Sequence, residues 1–199
     1  MKLIIATNNA HKAREIREIL SADFSELHTL AEAGLTIEVL EDGATFAENA
    51  KKKAEAVLAA AAGYDAALAD DSGLSVDALG GAPGVYSARY AGEQHDDAAN
   101  NRKLMADMAA VPDAERTCRF QCAVALAWRG RPTIIAQGAC EGMLLRAPRG
   151  ENGFGYDPYF LYPPSGRSFA ELPAEEKNAV SHRRRALEAL KMLLAEKEV

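Results

Sequence analysis

The chain has 199 residues, 48% of them hydrophobic, and a formal charge of −6, which is enough to bury a core and fold alone. An acidic balance excludes broad electrostatic binding to nucleic acid or an anionic membrane, which reward a basic face; small anions and divalent metals stay open. Its apolar stretches fall short of the roughly 18 residues that cross a bilayer, and MKLIIATNNAHK has neither the long apolar region nor the cleavage site of a secretory signal, so a cytoplasmic location is expected.

Taken in chain order, KLIIATNNAHKAREIREILS predicts a buried strand over residues 3–6, a polar loop over 7–10 and a helix with Ile16, Ile19 and Leu20 on one face. The stretch TNNAHK, residues 7–12, leads into a helix N-terminus, whose backbone N–H groups and dipole suit an anion such as phosphate. Thr7, Asn8, Asn9 and Lys12 add donors around Ala10 and His11. The stretch is neither GxxxxGK[ST] nor GxGxxG, and a capped helix with an exposed lysine is the plainer reading of these residues.

EDGATFAENAKKKAEAVLAAAAGY predicts a turn at Asp42-Gly43, a capping box from Thr45 to Glu48, and a helix with Phe46, Ala50, Ala54, Val57 and Ala61 on one stripe, stopped by Gly63. DAALADD follows as a short strand ending in two adjacent carboxylates, Asp70 and Asp71, before Ser72 and Gly73. Neighbouring carboxylates repel and resist burial, so both need water or a cation. One reading is a solvated Asp-Ser-Gly turn. The other adds Glu41 and makes a magnesium or general-base site, because magnesium prefers a few carboxylate oxygens with water and substrate phosphates.

LGGAPGVYSARYAG reads as a packed loop, and HDDAANNRKLMADMAAVP as a helix starting near His95 and closed by Pro112. TCRFQCAVALAW, a turn at RGRP and TIIAQGACEGMLL form a long hairpin, which beside αβ units implies a mixed sheet. Cys118, Cys122 and Cys140 are an odd number without a CxxC pair, which argues for reduced, half-buried thiols. In GENGFGYDP, Gly153 and Gly155 permit close backbone approach, Phe154 and Tyr156 offer flat faces to a base, and Asp157 can accept from ring N–H groups. A small aromatic core explains the same residues.

EEKNAVSHRRRAL gathers Lys177, Ser181, His182 and Arg183 near the start of a last helical segment whose apolar face is Ala186, Leu187, Leu190, Leu193 and Leu194. A His or Arg donor facing a purine 6-oxo group accepts inosine-like and xanthine-like bases and refuses a 6-amino group. Arg184 and Arg185 read as a solvated basic face. His11, His28 and His95 lack metal-ligand spacing. No composition shift marks a boundary, so residues 1–199 are expected to form a single domain.

Five segments, ATNNAHKAREI, EDGATFAENAKKKA, ADDSGLSVDALGGAPGVYSARYAG, GFGYDP and EEKNAVSHRRRAL, together resemble, in family order, the inosine/xanthosine triphosphate pyrophosphatases. The resemblance implies an α/β, two-lobed fold with a long curved mixed β-sheet flanked by helices, a central active-site cleft and a homodimer. It also implies Mg²⁺-dependent hydrolysis of ITP, dITP and XTP to the monophosphate and pyrophosphate. Carried over by position, Thr7, Asn9 and Lys12 hold the triphosphate within a substrate-binding stretch that includes Asn8, Ala10 and His11, Glu41 and Asp71 hold the metal with Asp70 nearby, and Ser72 contacts a phosphate. Asp71 is also the general base, while Phe154, Gly155, Tyr156, Asp157, Lys177, His182 and Arg183 line the nucleotide site. The family loop often has Gly where this chain has Asn8.

The mechanism this implies is attack of a metal-activated water on the α-phosphorus as pyrophosphate leaves, with Lys12 and Lys177 stabilising the phosphates. Two unpaired donors against ATP supply about a hundredfold discrimination. The alternatives are a non-catalytic purine nucleotide sensor, which has no need of a general base, and a pyrophosphatase for modified pyrimidine nucleotides, whose family's basic Ser/Arg-rich opening differs from TNNAHK.

Overall fold

A computed structural model describes residues 2–20, 26–92 and 96–197. In chain order the elements are β1 (Lys2–Ile5), α1 (Ala10–Leu20), β2 (Glu26–Thr29), α2 (Phe46–Ala60), β3 (Ala66–Val76), α3 (Asp97–Asp107), β4 (Thr117–Trp128), β5 (Arg131–Leu144), β6 (Phe160–Tyr162), β7 (Arg167–Ser168), α4 (Ala174–Val180) and α5 (His182–Lys197). His95, where the predicted third helix begins, lies outside the described residues. Among those described, the strands form one seven-stranded sheet in the order β2-β1-β3-β4-β5-β6-β7. β1 pairs in parallel with β2 and β3, while β6 pairs antiparallel with β5 and β7, so the sheet is mixed as the hairpin and αβ units predict. No described helix is long and apolar enough to cross a membrane.

The chain divides into two compact units. The first contains residues up to Asp71, Cys122–Gly138 and Arg183 onward. β1, residues 66–69 of β3 and residues 122–127 of β4 are apolar on both faces, as strands buried between two layers must be, and their period of two separates two cores. Leu3, Ile5, Leu68, Val124 and Leu126 face one way, packed with Ile16, Ile19 and Leu20 of α1 and Ala186, Leu187 and Leu190 of α5. Ile4, Ala67, Ala69, Ala123 and Ala125 face the other way, packed with Ala50, Ala54 and Val57 of α2. Thr45 caps α2 by accepting from the Glu48 N–H at 3.1 Å, but Glu48 reaches back to the Ala44 N–H rather than to Thr45, so the capping box is only half formed.

The second unit, Ser72–Gln121 and Ala139–His182, packs Leu74, Val76, Leu104 and Met108 with an aromatic group of Phe120, Phe160 and Phe169. Cys118, Cys122 and Cys140 are fully buried rather than half-buried, and none is in a disulfide. The final helical segment is two helices, broken at Ser181, whose ψ of 157° is extended. That break separates Lys177 on α4 from Arg183 on α5, which a continuous helix would have held on neighbouring turns.

Candidate active site

The sequence places Asp70 and Asp71 at a strand end before a turn, but β3 runs on through Ser72 and Gly73 to Val76. Both carboxylates therefore sit mid-strand, where alternation sends them to opposite faces of the sheet. Asp70 follows Ala66 and Leu68 on the α1 side, and Asp71 follows Ala67 and Ala69 on the α2 side. The backbone separates two charges that adjacency in sequence would crowd.

Asp70 has no solvent exposure. Lys12 Nζ of α1 lies 3.2 Å from its Oδ2, and Arg183 of α5 donates to the same oxygen from Nη2 at 3.0 Å and Nε at 3.2 Å. Arg183, itself buried, also bonds Glu15 of α1. Burial raises the proton affinity of Asp70, yet the charges of Lys12, Arg183 and Lys53 outweigh it and hold the carboxyl well below the usual carboxylate range. Burial and the Arg183 charge lower Lys12, but Asp70 together with Asp71 and Cys122 outweighs them and the net direction is upward, so the ammonium stays charged.

Asp71 is held differently. Asn49 of α2 donates to its Oδ2 at 3.0 Å, and Lys53, one helical turn on, stands 3.8 Å from its Oδ1 and 3.2 Å from Glu41 Oε2. Asn49 also accepts from the Gly43 N–H at 2.8 Å, tying the segment that carries Glu41 to the strand that carries Asp71. Burial pushes the Asp71 carboxyl above its ordinary value, against the opposing pull of Lys53 and Lys12, and Glu41 pushes it further. Glu41 and Asp71 thus already share one cation, and their hard oxygens fit magnesium, which needs only one or two carboxylates when substrate phosphates complete its shell. No group of three His, Cys, Asp or Glu side chains suited to a metal occurs among the described residues.

The 7–12 stretch is a capped helix start. Asn9 Oδ1 accepts from the N–H groups of His11 and Lys12 at 3.0 and 3.1 Å, and Thr7 Oγ1 accepts from the Asn9 N–H at 3.2 Å. Two of the N–H groups that sequence reasoning offers to an anion are therefore used by the cap, leaving Lys12 as the charged donor of the loop. Asn8 Nδ2 donates to the Ile37 carbonyl at 3.0 Å, a bond glycine cannot make. Ala10 and His11 are exposed on the first turn.

In the second unit, Asp157 is the centre. Its Oδ2 accepts from Lys177 Nζ at 2.6 Å and from the Phe154 N–H at 2.9 Å, and the Lys177 ammonium stands 4.8 Å from the Phe154 ring centre. Gly153, with φ +76°, allows this turn, since a Cβ there would collide with the Asp157 carboxylate. Tyr156 is not a free flat face: its ring is in the core and its hydroxyl donates to the Ser87 carbonyl at 2.8 Å. Phe154 is half-buried, as is Ser72. His182 is buried and stacks on Phe120 at 4.9 Å.

The structure thus groups Lys12, Asp70, Arg183, Glu41 and Asp71 in the first unit, and Phe154, Gly155, Asp157 and Lys177 in the second. Arg183, assigned by the resemblance to the nucleotide lining, is a charge partner of Asp70, and Lys177, assigned to phosphate, is paired with Asp157. Sequence reasoning passed over Glu15, Asn49 and Lys53. The one available signal for Asn49 is an amide that the structure buries beside the apolar stripe of an alanine-rich helix, and Lys53 is one of three consecutive lysines.

These features define a mixed α/β protein whose third strand carries two buried, differently paired carboxylates. A sequence model of the Ham1 family matches residues 3–193. The chain belongs to the Ham1 family. It is 50% identical over 191 residues to the dITP/XTP pyrophosphatase of Bacillus subtilis, covering 96% of each chain, and 50% identical over 203 residues to that of Desulforamulus reducens, covering both completely. Among solved structures it is similar to the Ham1 protein of Staphylococcus aureus, at TM-score 0.85 and 36% identity over 99% of this chain and 100% of the other. A HAM1 protein from Coxiella burnetii gives TM-score 0.85 at 41% identity, over 98% and 99%.

Proposed function

We propose that the chain hydrolyses non-standard purine nucleoside triphosphates, ITP, dITP and XTP, to the monophosphate and pyrophosphate, with residues 1–199 working as one catalytic domain. The observation that carries this is the contrast between Asp70 and Asp71. Adjacent carboxylates whose surroundings push their proton affinities apart mark one group as a fixed charge and the other as a base. Asp70, tied to Lys12 and Arg183, stays ionised; Asp71, buried beside Glu41, is poised to take a proton.

Asp71 accepts a proton from water as the water oxygen bonds the α-phosphorus, and the bond from that phosphorus to the bridging oxygen breaks to release pyrophosphate. Glu41 and Asp71 would hold Mg²⁺, which supplies charge neutralisation on the phosphate oxygens and acidifies the attacking water. Lys12 and Lys53 bind phosphate oxygens. The base falls to the Phe154 face with Asp157 and Lys177, and His182 remains a candidate donor. A homodimer is what the family resemblance implies, and a cytoplasmic location agrees with the activity proposed.

A panel of ITP, XTP, dITP, GTP, ATP and a modified pyrimidine triphosphate with Mg²⁺, assayed for pyrophosphate against phosphate, tests this. Pyrophosphate from ITP and XTP at rates at least about a hundredfold above ATP is expected. Equal rates on ATP and ITP overturn the base reading, release of single phosphates overturns attack at the α-phosphorus, and binding without turnover makes the chain a sensor.

A further inference from the structure

We propose that Asp97 and Asn101 of α3 are positioning residues for base selectivity, acting by fixing the turn at Gly155. The inference rests on reading the 153–157 turn as the base-binding segment. Four residues apart, the two side chains share one face of the helix. Asp97 Oδ2 accepts from the Gly155 N–H at 2.7 Å, and Asn101 Nδ2 donates to the Gly155 carbonyl at 2.8 Å. The peptide groups on both sides of the Gly155 Cα are therefore held from one helix. Gly155 has φ +62°, a conformation that without Cβ constraint would be free to swing.

What the clasp fixes is the pair of residues beside it. Phe154 supplies the ring, and its own N–H donates to the Asp157 oxygen that also receives Lys177. On the other side, the Tyr156 hydroxyl is anchored on Ser87. With Gly155 locked, ring, carboxylate and ammonium keep one mutual geometry, and selectivity between a 6-oxo and a 6-amino purine depends on such geometry being held before the base arrives. Packing alone does not account for Asn101: its Oδ1 is buried with no hydrogen-bond partner among the described residues, a cost an apolar side chain would avoid. Locally unfavourable polar burial of this kind is expected where function, rather than stability, chooses the residue.

The test uses the purified full chain with Mg²⁺, kcat and KM for ITP and ATP, and amide hydrogen exchange of a peptide spanning residues 150–158. Asp97→Ala and Asn101→Ala should each raise the KM for ITP about threefold to tenfold, the effect of one hydrogen bond, and shrink the ITP-over-ATP preference by a similar factor, with kcat within about twofold. Exchange should quicken in 150–158 and stay unchanged elsewhere. Asp97→Asn keeps an acceptor for the Gly155 N–H and should restore wild-type selectivity, whereas Asn101→Asp, of equal size but without the donor, should not. Should the alanine variants fail to fold, this size-matched pair decides. Variants that keep the wild-type ITP-to-ATP ratio, or that lose kcat on both nucleotides alike with exchange raised throughout, overturn the proposal. A wild type without preference for ITP overturns the base-binding reading instead, so the two failures are distinct.

Discussion

Asp70 and Asp71 differ by one position in β3 and by opposite electrostatic surroundings, and the difference has opposite consequences for stability. The folded Asp70 carboxyl lies below its unfolded value of about 4, so its stabilisation is present above about pH 4 and is lost as pH falls toward its folded value. Asp70→Asn leaves the buried Arg183 and the half-buried Lys12 without their shared charge partner, and urea unfolding at pH 7 should register a loss of about 3–5 kcal/mol. Asp71 has the reverse sign. Its folded value is raised, so the folded state loses stability as pH rises through it, and nucleotide-free Asp71→Asn should melt above the wild type at pH 7, with the gap closing below about pH 4. The same variant should bind ITP without turning it over. A variant that melts below the wild type at pH 7 removes the raised proton affinity, and one that hydrolyses ITP removes Asp71 as the base.

At the scale of elements, α2 is the support of the Glu41–Asp71 carboxylate pair. Its first turns carry Asn49 and Lys53, which hold Asp71 and Glu41, and its entry is fixed by the Thr45 cap. Thr45→Ala should cost about 1 kcal/mol in urea unfolding. A change within experimental error would mean that the Glu48 contact to Ala44 already satisfies the helix start. α1 plays the matching part for Asp70, presenting Lys12 and Glu15 from turns fixed by Asn9. The apolar stripes of α1, α2 and α5 were legible from spacing alone, because burial of a helix face is written in a 3.6-residue period. The extent of β3 was not, because Asp-Ser-Gly has the composition of a turn, and strand structure is decided by tertiary context more than by local propensity.

On the scale of the whole molecule, the cores divide between the two units, and the chemistry-bearing side chains divide with them: carboxylates and their cations in one, the Phe154–Asp157–Lys177 group in the other. The acidic net charge of −6 is compatible with a polyanionic substrate once a divalent cation accompanies it. Mg²⁺ alone should therefore raise the melting temperature of the nucleotide-free protein, as any ligand of the folded state does, and Glu41→Gln should abolish that rise. An unchanged melting temperature at millimolar Mg²⁺ would remove Glu41 from the metal. Sedimentation should give twice the 21.3 kDa chain mass if the protein is the proposed homodimer.

The sequence by itself determined the αβ opening, the long hairpin and hence the mixed sheet, the faces of the long helices and the family, because periodicity, turn residues and motif order are local properties that survive in one dimension. Most of the charged residues that the structure pairs were also singled out in the sequence. Their pairing was decided only by the tertiary structure: Arg183 with Asp70 and Glu15, Lys53 between Glu41 and Asp71, and Lys177 with Asp157. The reason is physical. A charge finds its partner across sheet faces and helix packings over separations of tens to more than a hundred residues, and two adjacent aspartates that look like one cluster in sequence become, on a pleated strand, two sites with opposite proton affinities.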